Sequence, residues 1–460
     1  MSTSAKLGTP SATALVVGNM IGSGIFLLPA SLAAFGGISI LAWVFTALGS
    51  FLLAMVFANL GRAYPRTGGP YEYTRRAFGD FIGFQTAWGY WIAAWVGNAA
   101  IAVAFVGYLG HFFDVFGNDG SKVWQAVTAG GAIWLLTWVN SRGIRQAGIV
   151  QTATTVLKIL PLAAIALLGL FWFDSGNFPA FNSSGDSAVG ALTGAATLTL
   201  WAFIGLESAT VPAEDVAHAR RTIPRATLWG TGVTALVYIL GTVAVMGVIP
   251  PDALASSTAP FADAATAMWG SVWGDIVALG AIAATFGCLN GWILIQGQVP
   301  FAAARDKLFP ARFATKNRYA TPAFGLAVSS VLITLLMLTN YNASLVTRFT
   351  DMILLATLAT LIPYAYTAGA DMLLLATDRA AFSAKRLAVD LTVAVVAFAY
   401  AVWTIVGAGY QAVAWGIVLL LAGIPVYVWI KWRASLAAPR AIDLTVPEPS
   451  RPVEFTTTRS

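Results

Sequence analysis

The sequence predicts an all-α integral membrane protein of twelve transmembrane helices, arranged as two inverted blocks of five and a final pair. Three observations lead to the twelve helices, and paired interruptions in the first and sixth lead to the blocks. Of the 460 residues, 58% are hydrophobic and only 10% are charged, against about a quarter charged in soluble domains. Twelve apolar stretches approach or exceed the ~20 residues that cross a bilayer as a helix. The basic residues between them alternate, crowding every second loop.

The stretches run at 11–35, 38–61, 80–112, 123–140, 147–173, 188–212, 226–249, 271–300, 322–340, 349–376, 386–408 and 411–432. The third is too long for an upright span and is expected to tilt or to project. With both termini cytoplasmic, the inner loops hold Arg62, Arg66, Arg75 and Arg76, then Arg142 and Arg145, then Arg220, Arg221 and Arg225. Later inner loops carry Arg305, Lys307, Arg312, Lys316 and Arg318, then Arg379, Lys385 and Arg386, then Lys431 and Arg433. The outer side keeps little beyond Lys122 and Arg348. One helix more or fewer would break this alternation, so it sets the topology. It also accounts for the net charge of +6 without a nucleic-acid partner.

The remainder organises simply. Residues 1–10 form a short cytoplasmic N-terminus without the apolar core of a cleaved signal peptide. Residues 11–432 form the membrane domain, with repeats at 11–173 and 188–376 and a closing pair at 386–432. The tail at 433–460 lacks periodicity and is expected to be disordered. Two inner loops look structured: a turn-rich one at 67–76, and 299–318, expected as an amphipathic helix because Phe301, Leu308, Phe309 and Phe313 alternate with basic residues. One cysteine, Cys288, and two histidines, His111 and His218, cannot build a conventional zinc site. No nucleophile–base pair, phosphate loop or cofactor motif stands out, so no enzyme, metal or cofactor is expected.

The first stretch contains Gly18-Asn19-Met20-Ile21-Gly22-Ser23-Gly24-Ile25. Glycine weakens a helix and permits open backbone, so this span is either broken or packed closely by a neighbour. The sixth stretch has a matching feature, Trp201-Ala202-Phe203-Ile204-Gly205-Leu206-Glu207. Interruptions at corresponding places in two halves point to a transporter's binding site. Five helices per block is odd, so the second block starts from the opposite side. A broken helix exposes N–H groups that attract anions and carbonyls that attract cations. Two antiparallel breaks can therefore hold the zwitterionic head of an amino acid with backbone alone.

Side chains add detail. A carboxylate in mid-membrane is costly and tends to face a cavity or a partner, which makes Glu207 a candidate proton-carrying or pH-sensing group; the alternative is a structural hydrogen bond. Lys158 could stand in for a coupling ion, tie its helix to the first, or snorkel to an interface. Asp275, Asp351, Asp371 and Asp390 lie nearer to span ends, where solvation is expected. Most of the 17 tryptophans belong to interfacial belts or to packing. Trp201 and Trp292 differ, one beside the break and one flanked by glycine in mid-span. Either could offer an indole face to a cation. Asn98 is a mid-span amide that needs a partner, either packing or ligand.

Assembled, these residues resemble the amino acid–polyamine–organocation superfamily, and within it the bacterial basic amino acid/polyamine antiporters. The resemblance covers roughly 8–430. It rests on Gly18 to Ala30, Tyr90-Trp91, Trp95-Val96-Gly97-Asn98, Leu200 to Ala209, Arg221-Thr222-Ile223-Pro224, Gly291-Trp292 and Pro363-Tyr364. It implies a LeuT-like fold, a homodimer in the inner membrane, and exchange of an arginine-like amino acid for an agmatine-like amine. A proton-coupled permease, or lysine/cadaverine or ornithine/putrescine exchange, are the alternatives. By similarity Ser23 and Gly24 bind the substrate carboxylate. Asn19 belongs to the same site, and carbonyls near Met20, Trp201 and Ile204 take the α-ammonium. Trp201 resembles a gate over the cationic end and Trp292 a mid-pathway barrier, while Asn98 matches a substrate-bonding position. Tyr90, Glu207 and Tyr364 match an inner gate, with Glu207 pH-responsive. Ala94, Ile101 and Ala356 stand where arginine/agmatine exchangers have cysteine, methionine and serine. The head group is therefore recognisable, and the substrate's far end is open.

Overall fold

A computed structural model describes residues 7–117, 119–339 and 343–437. The chain folds as seventeen α-helices among the described residues: α1 (Thr9–Met20), α2 (Ser23–Ala33), α3 (Ile38–Ala63), α4 (Pro70–Phe78), α5 (Asp80–Leu109), α6 (Lys122–Ser141), α7 (Ile144–Leu168), α8 (Ala188–Trp201), α9 (Ala219–Val248), α10 (Pro251–Ser256), α11 (Pro260–Trp269), α12 (Ser271–Arg305), α13 (Ala323–Thr339), α14 (Leu345–Thr377), α15 (Leu387–Gly407), α16 (Tyr410–Leu421) and α17 (Gly423–Ala437). No strand forms among these residues; Leu7 and Val216 pair in a single parallel bridge.

Nine helical segments among the described residues are long and apolar enough to cross a membrane, taking α1–α2 and the α16–α17 region as one each. Of the other expected spans, α8 and α13 are apolar but shorter. The 20-residue α6 is diluted by Gln125, a glycine pair and Asn140. The protein is thus an all-helical, multi-pass membrane protein. Thirty residues make α5 about 45 Å long, more than the ~30 Å of a hydrocarbon core, as its sequence predicts. α5 packs against α12 and α14, and α1 lies between α9 and α12. Leu, Val and Phe side chains left exposed on α3, α7, α9, α15, α16 and α17 suit lipid contact.

Four local expectations change. The 299–318 loop is not one helix: α12 continues through Pro300 to Arg305, Lys307 adopts φ 62°, and only a short 3-10 turn follows at Ala311–Ala314. An interior proline removes one hydrogen bond, and here burial of Val299, Phe301, Ala302, Ala303 and Ala304 keeps the helix going. The turn-rich loop becomes α4, started by Gly69 and Pro70. Its Arg75 pairs with Asp306 at 2.8 Å and with Asp80 at 3.0 Å, and Tyr71 donates to Asp306 at 2.8 Å, tying α4 to the start of α5 and the end of α12. Burial pushes the Glu72 carboxyl up, against the pull of Arg66 at 3.2 Å. Asp371 and Asp390 are buried, not solvated. Asn59 of α3 donates to Asp371 at 3.0 Å, and Arg386 lies 3.6 Å from Asp390. α17 extends past the expected start of the tail at 433 to Ala437, and 438–460 lie outside the described residues.

Candidate functional site

The first apolar stretch is two helices. α1 ends at Met20, Ile21 takes an extended conformation, and α2 begins at Ser23 after Gly22 at φ −147°, ψ −133°. Gly22 is needed for close approach: a methyl group there would lie 2.2 Å from Cys288 Sγ. The sixth stretch breaks likewise. α8 stops at Trp201, a run of turns carries the chain to Glu207, and Gly205 sits at φ +114° against the backbone of Asn19. Such a φ suits glycine and strains other residues. The two breaks therefore touch each other at Gly205, while Gly22 makes room for Cys288 of α12.

Between them lies a small cavity lined by Asn19, Met20, Ser23, Gly24, Ile101, Trp201, Ile204, Cys288 and Trp292. Ser23 and Gly24 open α2, whose first turn has no side-chain cap, so its N–H groups point an anion-attracting end at the cavity.

The carbonyl ends are partly engaged. Asn19 O accepts from Cys288 Sγ (3.3 Å) and from Trp292 Nε1 (3.2 Å). Met20 O accepts from Tyr238 OH at 2.5 Å, and the same hydroxyl lies 3.0 Å from Ala202 O, bridging the two breaks. Trp201 O accepts from Ile204 N at 3.2 Å. A carbonyl has two lone pairs, so Met20 and Trp201 keep capacity for an ammonium. The Asn19 side chain donates to Ser208 Oγ at 2.9 Å, and Trp201 Nε1 to Ser23 Oγ at 3.3 Å, again linking one break to the other.

Lys158 does not snorkel. It is fully buried, and its Nζ donates to Gly18 O (2.7 Å) and Ile21 O (2.6 Å), capping the carbonyl end of α1. Its cationic head is placed where a helix C-terminus favours positive charge. Glu207 is fully buried too. One carboxylate oxygen accepts from Tyr90, the other from Tyr364 and from Gly205 N at 3.1 Å. The ring of Tyr90 stands 6.3 Å from that of Trp292, which joins this cluster to the cavity wall.

Ala94, Asn98 and Ala356 stand outside the wall. Asn98 nevertheless shares a helix face with Ile101, and a methyl group at the adjoining Gly97 would lie 2.8 Å from the Trp201 ring and 3.8 Å from Ala356 Cβ. Cys288, Tyr238 and Gln296 escaped the sequence reading as site residues. Cys288 and Gln296 lie one turn either side of Trp292, a spacing that puts all three on one face; Tyr238 carries no such signal. No group of three or more metal-ligating side chains occurs among the described residues.

Paired helix interruptions that meet at a cavity are the arrangement in which membrane transporters place a substrate site. The family model described as amino acid permease matches residues 7–430, and the chain belongs to that family, within the amino acid–polyamine–organocation superfamily. It is 35% identical over 425 residues to the arginine/ornithine antiporter of Pseudomonas aeruginosa, covering 89% of this chain and 87% of the relative. It is 36% identical over 373 residues to the cadaverine/lysine antiporter of Escherichia coli, 80% and 83% of the two chains. With the putrescine transporter of Haemophilus influenzae it shares 32% over 441 residues, 94% and 98% of the two chains.

Proposed function

We propose that this permease is a secondary antiporter that exchanges a basic amino acid for its decarboxylated amine across the inner membrane. The observation that carries it is the meeting of the two helix breaks at one cavity, with α2 N–H groups on one side and free carbonyl capacity on the other. In this reading Ser23 and Gly24 hold the carboxylate. Met20, Trp201 and Ile204 hold the ammonium, Trp201 covers the cationic far end, and Trp292 and the Tyr90–Glu207–Tyr364 cluster close the inner path. The relatives named for arginine, ornithine, lysine, cadaverine and putrescine support this substrate class, with lysine/cadaverine, ornithine/putrescine and arginine/agmatine as the pairs to test.

The proposed architecture is twelve spanning helices of LeuT type, repeats at 11–173 and 188–376, a closing pair at 386–432, cytoplasmic termini and a homodimer. The counterflow experiment loads proteoliposomes with arginine, agmatine, lysine, cadaverine, ornithine, putrescine or neutral amino acids. Uptake of a labelled basic amino acid is expected only into vesicles loaded with a partner from the basic set. Equal uptake into empty vesicles would end the exchange reading.

A second reading is a proton-coupled permease. The buried Lys158 ammonium, held by Gly18 O and Ile21 O, favours it, because it places a titratable cation at the carbonyl end of α1. Uptake into empty vesicles driven by an inward proton gradient would select it. Under either reading Trp201→Leu removes the indole face and its bond to Ser23. A loss of about 0.5–2 kcal/mol in cation–π attraction translates into about a 2- to 30-fold rise in the Kd of a cationic substrate, read by equilibrium binding. Unchanged affinity would remove Trp201 from the cationic subsite.

A further inference from the structure

Two helix faces meet beyond the cavity wall. On α5, Ala94, Asn98 and Ile101 follow at helical spacing; on α12, Cys288, Trp292 and Gln296 do the same. Ile101, Cys288 and Trp292 line the cavity. One turn farther along each face, Asn98 Nδ2 donates to Gln296 Oε1 at 2.7 Å, both residues being buried. Asn98 Oδ1 is buried and finds no hydrogen-bond partner among the described residues.

The orientation of this amide pair is set from behind. Gln296 Nε2 donates to Ser330 Oγ at 3.4 Å. Ser330 and Thr137 lie 2.6 Å apart, and each can also bond a carbonyl in its own helix, Leu326 O at 3.0 Å and Ile133 O at 2.7 Å. The two hydroxyl protons serve the mutual bond and one carbonyl, which leaves Ser330 Oγ to accept from Gln296. Reversing Gln296 would divert a proton to its Oε1 and forfeit one of these bonds. Gln296 therefore faces Asn98 with its oxygen, takes one of the two Asn98 Nδ2 protons, and leaves the Asn98 oxygen open.

We propose that Gln296 is a positioning residue that sets the substrate preference of this cavity, holding Asn98 so that its oxygen stays open as an acceptor for an incoming side chain. An acceptor suits the ammonium or guanidinium end of a basic amino acid and gives nothing to an apolar end. The inference rests on the antiporter reading above and names what selects its substrate class.

The test uses full-length protein in proteoliposomes and pairs a basic amino acid with its apolar counterpart: lysine with norleucine, and ornithine with norvaline. Gln296→Met keeps the length and removes both hydrogen bonds, freeing the Asn98 amide to turn. The KM for the basic member is expected to rise about tenfold, in line with losing one hydrogen bond to a charged group. The KM for the neutral member and kcat should stay within about twofold. Gln296→Glu, which keeps an acceptor for Asn98 Nδ2, should retain the preference. Ser330→Ala, which releases Gln296, should lose part of it, and this pair decides the matter if Gln296→Met does not fold. Parallel KM changes for both members, or a fall confined to kcat, would overturn the role of Gln296. A wild-type protein with no preference for basic amino acids would instead overturn the antiporter reading itself.

Discussion

Gly24→Ala is expected to weaken binding of a basic amino acid by about 100-fold and binding of its decarboxylated amine far less. The new methyl group would fall 2.8 Å from Ala202 Cβ and 2.9 Å from Ala202 Cα. Backbone cannot yield as a flexible side chain can, so α2 must draw away from the turn that follows α8. That movement carries off the N–H groups proposed to hold the carboxylate. Charge-assisted hydrogen bonds are about twice as strong as neutral ones, and losing about 2.7 kcal/mol of them corresponds to 100-fold. The amine has no carboxylate and loses only what the displaced wall costs. Adding Ala202→Gly removes the Cβ contact and should restore part of the affinity. Calorimetric binding of both ligands to the purified protein reads the difference. Equal losses for amino acid and amine would take the carboxylate away from α2.

Glu207→Gln is expected to slow exchange by about 10- to 100-fold and to flatten its dependence on pH. The carboxylate accepts three hydrogen bonds, from Tyr90, Tyr364 and Gly205 N, and so joins α5, α14 and the turn after α8. A carboxamide offers one oxygen where the carboxylate offers two, and its NH₂ group faces a phenol. One of the two tyrosines must reverse its bond or lose it, at about 1.5–3 kcal/mol for a bond to a charged group, which sets the rate range. The amide also does not titrate between about pH 4 and 9, a range that runs from ordinary carboxylates at about 4 to buried ones at about 8–9. Initial exchange rates across that range, for wild type and variant, provide the test. A variant whose profile keeps the wild-type shape would assign the pH response to another group.

Much of this site was legible in the chain because it breaks a rule. Glycine, serine and asparagine in mid-span fit a continuous membrane helix poorly, so Gly22-Ser23-Gly24 pointed to a break or to close packing, and the matching Gly205 favoured the break. Glu207 was legible for the same reason. What the residues could not reveal is what they touch. Lys158 had three readings, and the choice depends on Gly18 and Ile21, more than 130 residues away. Tyr238 looks like any aromatic in an apolar span, yet its hydroxyl joins both breaks. Asp371 was misplaced because position along one helix says nothing about a neighbour, here Asn59 of α3, that covers it. The end of α12 at Arg305 was hidden because the positive φ of Lys307, which parts it from the turn at Ala311–Ala314, leaves no mark in the spacing of Phe301, Leu308, Phe309 and Phe313.

The central claim is that the two broken helices hold the substrate's head group between them. The most direct measurement is a density map of the protein with a basic amino acid bound, taken in lipid. The carboxylate is expected against the N–H groups of Ser23 and Gly24, and the α-ammonium toward the carbonyls of Met20, Trp201 and Ile204. The side chain should run past Ile101 toward Asn98, with Trp201 over its cationic end. Density for the head group reversed between the two breaks, or lodged elsewhere in the bundle, would contradict it.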